Sequence, residues 1–572
     1  MGALAGWVTT SRRARDEGAL WPMLEAIAHR CTRGEDLCGL ADHSARRQVV
    51  LGTTLRDEAS GISLALDGAI ANAQELRPLL EKHGYPFKEK THAEVLLRAY
   101  QHWDKDVVKQ LRGAFAFAVW DARKERLLLA RDRFGEKPLF LREHDGALYF
   151  ASEIKALLRA PAAKPELDLR SVSDCLVYGY VPGPQTLFSG IRKLPPATYA
   201  AWQLGRLHEL RYWIAPDRDP PVFLRHHSPG EKEGNEGFLA HLDDAVRLQR
   251  DGETGLFLSG GLDSTVLAAL MARQNGSFKT FSLGFEGDRR SELPQAAETA
   301  RHFGAQHHEI VVTAQDFAGL LPKLIAQRDA PLARPSDLAV HRLATEAARS
   351  VRSVLTGEGC DEVLGGYRRY IAERAGWSVR AYRGVLSAAE RDKLSVLKPS
   401  GSAAAENGAP FDADPRSSPL RRLLYFDQAV RLPDDLLERG DRLAMAASLE
   451  LRAPYLDHRL AEYVSAQPDE LRVRGLSTKR VLHRAGRELL PAALRKRPKA
   501  GFRVPVADWL RGGLRETLLD HLRSPASLTH KYYAAAALDR VLDEHLGKKR
   551  NHESLLWTLL NLEIWHRTYA RP

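Results

Sequence analysis

Roughly the first 210 residues carry short hydrophobic runs that are separated by tight-turn signals. The runs lie at residues 62–66, 114–120, 127–130, 139–140 and 147–151. Asp145-Gly146 stands between the last two runs and is a strong local signal for a β-hairpin. Closely spaced strands joined by tight turns predict antiparallel sheets, and segment 94–103 predicts a helix packed outside them.

From about residue 235 the pattern changes, because short apolar strands alternate with longer helices. The predicted strands are 255–258, 279–285 and 351–355, and the predicted helices are 238–250, 264–274 and 292–303. This alternation predicts a doubly wound parallel sheet with helices on both faces. Residues 215–236 are rich in proline and charge and predict a linker between the two regions.

The composition is that of a folded protein. The chain has 572 residues, of which 44% are hydrophobic and 27% charged, and a net charge of +11. A surplus this mild favours anionic small molecules such as nucleotides at least as much as nucleic acid. The four cysteines form no CxxC pair, and no apolar run approaches the roughly 18 residues of a membrane helix. We therefore expect a cytoplasmic protein with no membrane partner and no nucleic-acid partner.

Segment 256–265 carries the clearest chemical signal. An apolar strand leads into Ser259-Gly260-Gly261-Leu262-Asp263-Ser264 and then directly into an apolar helix. Adjacent glycines bring backbone N–H groups close to a ligand, and the helix amino terminus adds partial positive charge, so the loop predicts a cradle for an anion. Asp263 is a candidate ligand for the metal ion that accompanies a phosphate, and the hydroxyl groups of Ser259 and Ser264 are candidate donors to its oxygens. An ordinary tight turn is the alternative, but the flanking strand and helix favour the phosphate site.

A second loop follows the same logic. The strand that ends near Leu355 leads into Thr356-Gly357-Glu358-Gly359-Cys360-Asp361-Glu362. Ligands of a doubly wound sheet lie at the carboxyl ends of its strands, so the two loops are predicted to face one nucleotide. Asp361 is a second candidate metal ligand, and Glu358 is a candidate to orient or deprotonate a substrate amine. A solvated turn is the alternative for this acidic loop taken alone.

With both loops in place, the chain resembles the glutamine-dependent asparagine synthetase family, of the asparagine synthetase B type, over nearly its whole length. The matching segments are 259–264, 357–362, 365–367, 432–436, 441–445, 448–459, 478–482 and 497–502. The resemblance implies an amino-terminal Ntn-type antiparallel β-sandwich with helices. It also implies a carboxyl-terminal doubly wound parallel sheet of the PP-loop ATP pyrophosphatase type with extra helices. The implied domains are a glutaminase-like domain over 1–212 and a synthetase-like domain over 237–572, joined by a linker over 213–236.

The resemblance further implies ATP and Mg²⁺ as cofactors, with a carboxylate that is adenylated and an amine that then displaces AMP. The implied nucleotide-binding residues are Leu258, Ser259, Gly260, Gly261, Asp263, Ser264, Leu283, Thr356 and Gly357, and the implied metal ligands are Asp263 and Asp361. Lys479 is implied as a catalytic residue together with Asp263 and Glu358, because a lysine can stabilise the negative charge that accumulates on pyrophosphate. A surface cation is the alternative for a lysine without such a match.

The amino-terminal domain departs from the family at the residues that hydrolyse glutamine. The family's nucleophilic cysteine is replaced by Gly2, which has no side chain and cannot form a thioester. Segment 67–72 reads Asp-Gly-Ala-Ile-Ala-Asn where the family has Asn-Gly-Glu-Ile-Tyr-Asn. His92-Ala93 lies where the family carries the carboxylate that binds the glutamine amine. These differences predict that the chain does not hydrolyse glutamine.

The synthetase domain departs from the family at one place. Segment 329–336 carries Ala330 and Arg334 where the family has acidic residues, which disfavours free aspartate as the acceptor. Arg334 is instead a candidate to recognise a carboxylate or phosphate. The acceptor is then another small-molecule or peptide carboxylate. The amine is ammonia, an external amine, or a group on the same substrate, as in β-lactam synthetases and lasso-peptide cyclases.

Two other classes of protein are weaker alternatives. A catalytically inactive scaffold predicts broken nucleotide loops, whereas both loops are intact here. A tRNA-modifying enzyme usually carries paired cysteines or a dedicated RNA-binding domain, and the antiparallel front domain argues against it. A homodimer is left open by the sequence.

Overall fold

The computed structural model describes residues 2–10, 16–31, 38–44, 47–218, 231–274, 276–288, 291–332, 334–374, 414, 416–495, 504–527, 530 and 535–569. The matching segment 497–502 and residues 219–230 of the predicted linker lie outside the described residues. The chain divides into two compact units. The first comprises 1–166, 183–215 and 457–459, and the second 167–182, 216–456 and 460–572. The domain boundaries at 212 and 237 stay a prediction.

The first unit contains twelve of the described strands. They are β1 (Ala5–Thr9), β2 (Cys38–Ser44), β3 (Arg47–Thr53), β4 (Leu55–Asp57), β5 (Ile62–Gly68), β6 (Phe115–Asp121), β7 (Arg126–Arg131), β8 (Phe140–His144), β9 (Ala147–Ala151), β10 (Ile191–Lys193), β11 (Thr198–Gln203) and β12 (Arg206–Arg211). Two antiparallel sheets result, with the orders β10-β8-β9-β1-β3-β2 and β12-β11-β7-β6-β5-β4. The hairpin predicted at Asp145-Gly146 joins β8 to β9.

Successive side chains of β5 point to opposite faces of the strand and show how this unit is packed. Ala65 belongs to a buried cluster with Val8 of β1 and Trp120 of β6, so this face of the strand lies between the two sheets. Leu64 and Leu66 point the other way and join a second cluster, which includes residues of helices α2 and α3. The helices are α1 (Leu20–Glu25), α2 (Ala73–Lys82), α3 (His92–Trp103), α4 (Val107–Gln110) and α5 (Ile154–Leu157). The predicted antiparallel β-sandwich with helices outside it is confirmed.

The second unit is built on a five-stranded parallel sheet. Its strands are β13 (Thr254–Phe257), β14 (Lys279–Phe285), β15 (Gln306–Val312), β16 (Ser353–Leu355) and β17 (Glu450–Arg452). The strand order is β15-β14-β13-β16-β17, and every pair is parallel. The chain therefore builds the sheet outward from β13 in one direction and then returns to its other side, which places a topological switch point between β13 and β16.

Helices cover both faces of this sheet, as predicted. The helices of the second unit up to residue 374 are α6 (Leu169–Tyr178), α7 (Glu231–Gln249), α8 (Leu262–Arg273), α9 (Leu293–His302), α10 (Ala314–Arg328), α11 (Ser336–Ala347), α12 (Cys360–Leu364) and α13 (Arg368–Arg374), and α11 and α9 show the covering of the two faces. On β14, Phe281 packs in one cluster with Ala344 of α11. Gly284 faces the opposite side, where Leu293 of α9 lies so close that a Cβ atom would be 2.8 Å from its Cδ1.

The remainder of the described chain is mostly helical. It contains α14 (Pro419–Phe426), a π-helical stretch (Asp427–Leu437), α15 (Glu438–Met445), α16 (His458–Ala466), α17 (Arg480–Leu489), α18 (Ala492–Arg495), α19 (Val506–Arg511), α20 (Arg515–Leu522), α21 (Ala535–Leu546) and α22 (Glu553–Tyr569). The π-helical stretch contains Pro433, which has no N–H group to donate. π-Helical turns are rare in proteins as a whole, and those that occur are often found at functional sites.

One detail of the predicted linker is wrong. Helix α7 begins at Glu231, inside the segment predicted as a linker over 213–236. The linker was predicted from the proline and charge content of residues 215–236, but the prolines of that segment all precede α7. In the structure, Tyr463 lies against this turn of α7, and a Cβ atom at Gly237 would be 2.1 Å from its hydroxyl oxygen. The glycine therefore serves a close helix contact.

Candidate active site

The two predicted ligand loops follow neighbouring strands of the parallel sheet. Residues 258–261 join β13 to α8, and residues 356–359 join β16 to α12. The loops touch, because a Cβ atom at Gly357 would lie 3.3 Å from the Cβ of Asp263. Both loops lie at the switch point, which is where open α/β sheets bind their ligands.

Lys479 links the acidic residues of the two loops. Its Nζ atom lies 2.6 Å from Oδ2 of Asp263 and 2.5 Å from Oδ1 of Asp361. Burial opposes the charge of the lysine, but its acidic neighbours dominate and raise its pKa well above the usual value. Lys479 also has a left-handed backbone conformation, with φ of 45°, directly before α17. Such a conformation is unfavourable for a side chain with a Cβ atom, so the surrounding structure must hold the lysine in place.

Three further residues hold this ion pair. Gly366 approaches it so closely that a Cβ atom there would be 1.7 Å from Oδ1 of Asp361. The Tyr455 hydroxyl group donates to the backbone oxygen of Asp263 at 2.9 Å. Burial raises the pKa of the Cys360 thiol well above its usual value, so it is a neutral group beside Asp263. None of these three residues was predicted as a site residue, because each role depends on tertiary contacts or burial that no local motif indicates.

The loop after β13 is ordered by its own hydroxyl groups. The side chains of Ser259 and Ser264 hydrogen-bond to each other at 3.0 Å, and the Ser259 N–H donates to Ser264 Oγ at 3.0 Å. The Gly261 N–H donates to Ser259 Oγ, and the Gly260 N–H donates to a carboxylate oxygen of Glu292 at 3.2 Å. The backbone at Gly260 thus has an anionic oxygen as its partner, which is the chemistry expected of a phosphate cradle.

The residues implied for adenosine lie at the same edge of the sheet. Leu258 follows β13, Leu283 belongs to β14, and Thr356 follows β16. All three are buried. The Leu258 N–H donates to Phe281 O at 2.9 Å, which ties the first loop to β14. The Thr356 hydroxyl group is buried and receives no hydrogen bond from any described residue, so it has capacity for a ligand.

Glu358 lies on the side of the second loop that faces α15. A Cβ atom at Gly440 of that helix would be 3.1 Å from Oε2 of Glu358. Burial raises the pKa of Glu358 above its usual value, while Arg439 opposes the rise and Asp435 adds to it. No described residue donates a hydrogen bond to its carboxylate group. A carboxyl group with a raised pKa binds a proton more readily than an ordinary glutamate, which suits a group that accepts a proton.

The donor set around Lys479 fits a nucleotide-bound Mg²⁺ ion. Within the described parts of the chain, no group of three or more histidine, cysteine, aspartate or glutamate side chains is arranged to hold a metal on its own. Mg²⁺ commonly takes only one or two protein carboxylates and completes its shell with substrate phosphates and water. Asp263 and Asp361 supply two carboxylates that already share a cation, the Lys479 ammonium group. These two residues would hold the ion, which would neutralise phosphate charge.

In the first unit, the residues at the positions where the family binds and hydrolyses glutamine are engaged in packing, ion pairs and hydrogen bonds. A Cβ atom at Gly2 would lie 2.0 Å from the carbonyl oxygen of Leu66. Asp67 is buried and pairs with Arg30, whose Nη2 lies 2.9 Å from its Oδ2. Ser152 donates to the same carboxylate at 2.7 Å. His92 hydrogen-bonds through Nδ1 to the backbone of Ile70, a structural contact.

The sheet topology and the two loops define a class of nucleotide-dependent α/β enzymes joined to an amidotransferase-like front unit. A family model described as asparagine synthase matches residues 237–567, and one described as a glutamine amidotransferase domain matches residues 1–213. The first match covers more than half of the chain, so the chain belongs to the asparagine synthetase family. This is a family of ATP-dependent ligases that form amides.

Individual relatives are similar in sequence to this chain over most of their length. A Mycobacterium tuberculosis H37Rv protein, provisionally named asparagine synthetase (glutamine-hydrolysing), is 33% identical over 89% of this chain and 84% of its own. Asparagine synthetase (glutamine-hydrolysing) 1 of Bacillus subtilis strain 168 is 30% identical over 90% of this chain and 87% of its own. The amidase chry2 of Gibberella zeae is 25% identical over 81% of this chain and 80% of its own. Among the described residues, no helix is long and apolar enough to cross a membrane.

Proposed function

We propose that this chain is an AMP-forming amide ligase that uses Mg²⁺ and ATP and does not supply its own ammonia from glutamine. The observation that carries the ATP-dependent part is the bridge from Lys479 to Asp263 and Asp361 at the ends of two neighbouring strands. It places one cation and two carboxylates at the switch point, beside a loop whose backbone N–H already meets an anionic oxygen.

In the proposed reaction, an oxygen of the acceptor carboxylate attacks the α-phosphorus of ATP. An O–P bond forms to the acceptor, the bond between the α- and β-phosphates breaks, and pyrophosphate leaves with the electron pair. Lys479 stabilises the charge on pyrophosphate, and the loop of Ser259, Gly260 and Gly261 holds it. Leu258, Leu283, Thr356 and Gly357 bind the adenosine part.

In the second step an amine nitrogen attacks the activated carbonyl carbon, and AMP leaves with the C–O electron pair. The nitrogen must then lose a proton. Glu358 is the proposed acceptor or orienting group, because it faces this region without a protein hydrogen-bond donor and its pKa is raised by burial. The amine is ammonia or another amine.

The absence of glutamine hydrolysis is supported by the first unit. Thioester formation requires a nucleophilic side chain, and Gly2 has neither that side chain nor space for one beside Leu66 O. Asp67 is engaged by Arg30 and Ser152 and is therefore not available to bind glutamine.

The test is a product assay with the full chain, Mg²⁺, ATP, carboxylic acids and either ammonium or glutamine. We expect AMP, pyrophosphate and an amide with ammonium, and no glutamate from glutamine. With an acceptor labelled by ¹⁸O in its carboxylate, one labelled oxygen should transfer to AMP. Asp263→Asn should abolish pyrophosphate release, whereas Asp244→Asn on the exposed side of α7 serves as the matched control. Release of ADP, or amide formation from glutamine alone, would contradict the proposal.

A further inference from the structure

Arg334 has unused hydrogen-bonding capacity beside the candidate active site. Its side chain is 41% exposed, and its Nη2 atom contacts the buried carboxylate of Asp435. No other described residue accepts a hydrogen bond from its guanidinium group. An arginine has five donors in a planar fork that matches carboxylate and phosphate oxygens. Most of this fork has no partner among the described residues and can bind a ligand.

The neighbouring arginines are engaged in the protein. Arg439 donates to Asp337 at 3.2 Å, and Arg328 approaches the other oxygen of the same carboxylate at 3.4 Å. Arg431 lies 3.6 Å from Asp435 and also stacks over an aromatic ring. All three are more deeply buried than Arg334. Arg334 is therefore the member of this group that is arranged to meet a solute.

Asp435 connects Arg334 to the second ligand loop. It lies in the π-helical stretch that leads directly into α15, the helix that Glu358 contacts at Gly440. Asp435 is also one of the charged groups that act on Glu358. Arg334 is thus linked to Glu358 through Asp435.

The segment before Arg334 is fixed by the last helix. Trp557 and Trp565 of α22 donate through Nε1 to the backbone oxygens of Leu332 and Asp329, at 3.2 and 3.1 Å. The Arg334 N–H itself donates to Asp337 at 3.2 Å. A cation held this way is preorganised, so little side-chain and backbone freedom is lost when a ligand binds.

We propose that Arg334 binds a second oxyanion on the acceptor, a carboxylate or phosphate separate from the carboxyl group that reacts with ATP. This inference rests on the proposed ligase function. It assigns the acceptor to the class of acids that carry an additional negative group, and it disfavours acceptors with an ammonium group at that place, because Arg334 would repel it.

The first test compares matched acids with the full chain, ATP, Mg²⁺ and ammonium. The test acids are propanoate and its longer homologues, each carrying one of four groups at the carbon farthest from the reacting carboxylate: methyl, ammonium, carboxylate or phosphonate. Pyrophosphate release is measured for each acid. We expect kcat/KM to be at least about 10-fold higher for an acid with a far oxyanion than for its methyl or ammonium partner. The carboxylate and phosphonate arms distinguish the two oxyanions. Equal turnover of all four types would overturn the inference alone, whereas no pyrophosphate from any acid would contradict the ligase function itself.

The second test changes the arginine. Arg334→Gln should raise KM for the preferred acid about 10- to 100-fold, the effect of one or two charge-assisted hydrogen bonds, and leave KM for ATP unchanged. Turnover of the methyl acid should also be unchanged. Arg334→Lys retains the charge and should recover part of the loss, and Arg349→Gln, at an exposed arginine in the turn after α11, is the matched control. An equal loss for all acids, or a rise in KM for ATP, would show a structural role and overturn the inference.

Discussion

Replacing Lys479 by methionine tests the centre of the proposed site. Methionine keeps much of the length and the apolar stem but removes the ammonium group. Asp263 and Asp361 are then left as adjacent negative charges without the cation that now joins them at 2.6 and 2.5 Å. We expect three measurable consequences: lower stability, slower pyrophosphate release, and a new dependence of stability on Mg²⁺.

The magnitudes follow from burial. Removing one partner of a fully buried ion pair costs about 3–5 kcal/mol, because an unpaired charge remains. The side chains of Asp263 and Asp361 are 25% and 19% exposed, so water solvates part of the released charge. We therefore expect a loss of about 1–3 kcal/mol in the free energy of unfolding. Loss of a preorganised cation at the leaving group should lower kcat by about 100- to 1000-fold.

Magnesium separates the ion-pair interpretation from a packing defect. In Lys479→Met the two carboxylates can share a Mg²⁺ ion, which should restore about 1 kcal/mol once Mg²⁺ exceeds its Kd about fivefold. Thermal unfolding is measured with and without Mg²⁺ in the absence of nucleotide, and pyrophosphate release is measured in parallel. Lys323→Met on the exposed face of α10 is the control. Normal turnover by Lys479→Met, or stability that is as insensitive to Mg²⁺ as that of the control, would refute the reasoning.

Three other predictions concern both units. Gly2→Cys should produce no glutamate from glutamine and should lower the melting temperature, because its Cβ atom meets Leu66 O; measurable glutaminase activity would contradict this. Asp217 accepts two hydrogen bonds from the buried Arg472, both at 2.8 Å, so Asp217→Asn should cost about 3 kcal/mol in urea unfolding, and a cost below about 1 kcal/mol would contradict it. Burial raises the pKa of Glu362 from 4.5 to about 7. Between these two pH values, the folded protein therefore holds a proton that the unfolded chain has released. Stability should thus fall as pH rises through this window, and Glu362→Gln should remove that part of the fall in unfolding curves at about pH 5 and pH 8.

The fold was largely predictable because local patterns determine most of its elements. The strand predicted at 279–285 coincides with β14, and the helix predicted at 264–274 differs from α8 by two residues at its start and one at its end. Strand β15 (Gln306–Val312) was not predicted. It lies at an edge of the sheet and carries exposed polar residues, so it lacks the apolar run that marks the central strands.

The site was predictable only where one segment carries several of its residues. The loops around Asp263 and Asp361 have glycines and acids within a few positions of a strand end, a signal that local reasoning detects. Lys479 is 216 residues from Asp263 along the chain, and only the family resemblance indicated it. The contact between Arg334 and Asp435 joins two residues that are 101 positions apart in the sequence. It also depends on the π-helical stretch, for which the sequence has no local signal.

Gly2 and Asp67 both differ from the family's glutaminase residues, and the structure couples these two differences. Leu66 O occupies the place of a side chain at position 2, and the next residue, Asp67, is fixed by Arg30 and Ser152. Asparagine at position 67 would leave the buried Arg30 with less compensating charge, which is unfavourable on its own. Each single step toward the family's glutaminase residues therefore lowers stability before it supplies any chemistry. We accordingly expect Gly2→Cys combined with Asp67→Asn to be less stable than either single variant and to release no more glutamate from glutamine, which would leave the first unit as a structural part of the proposed ligase.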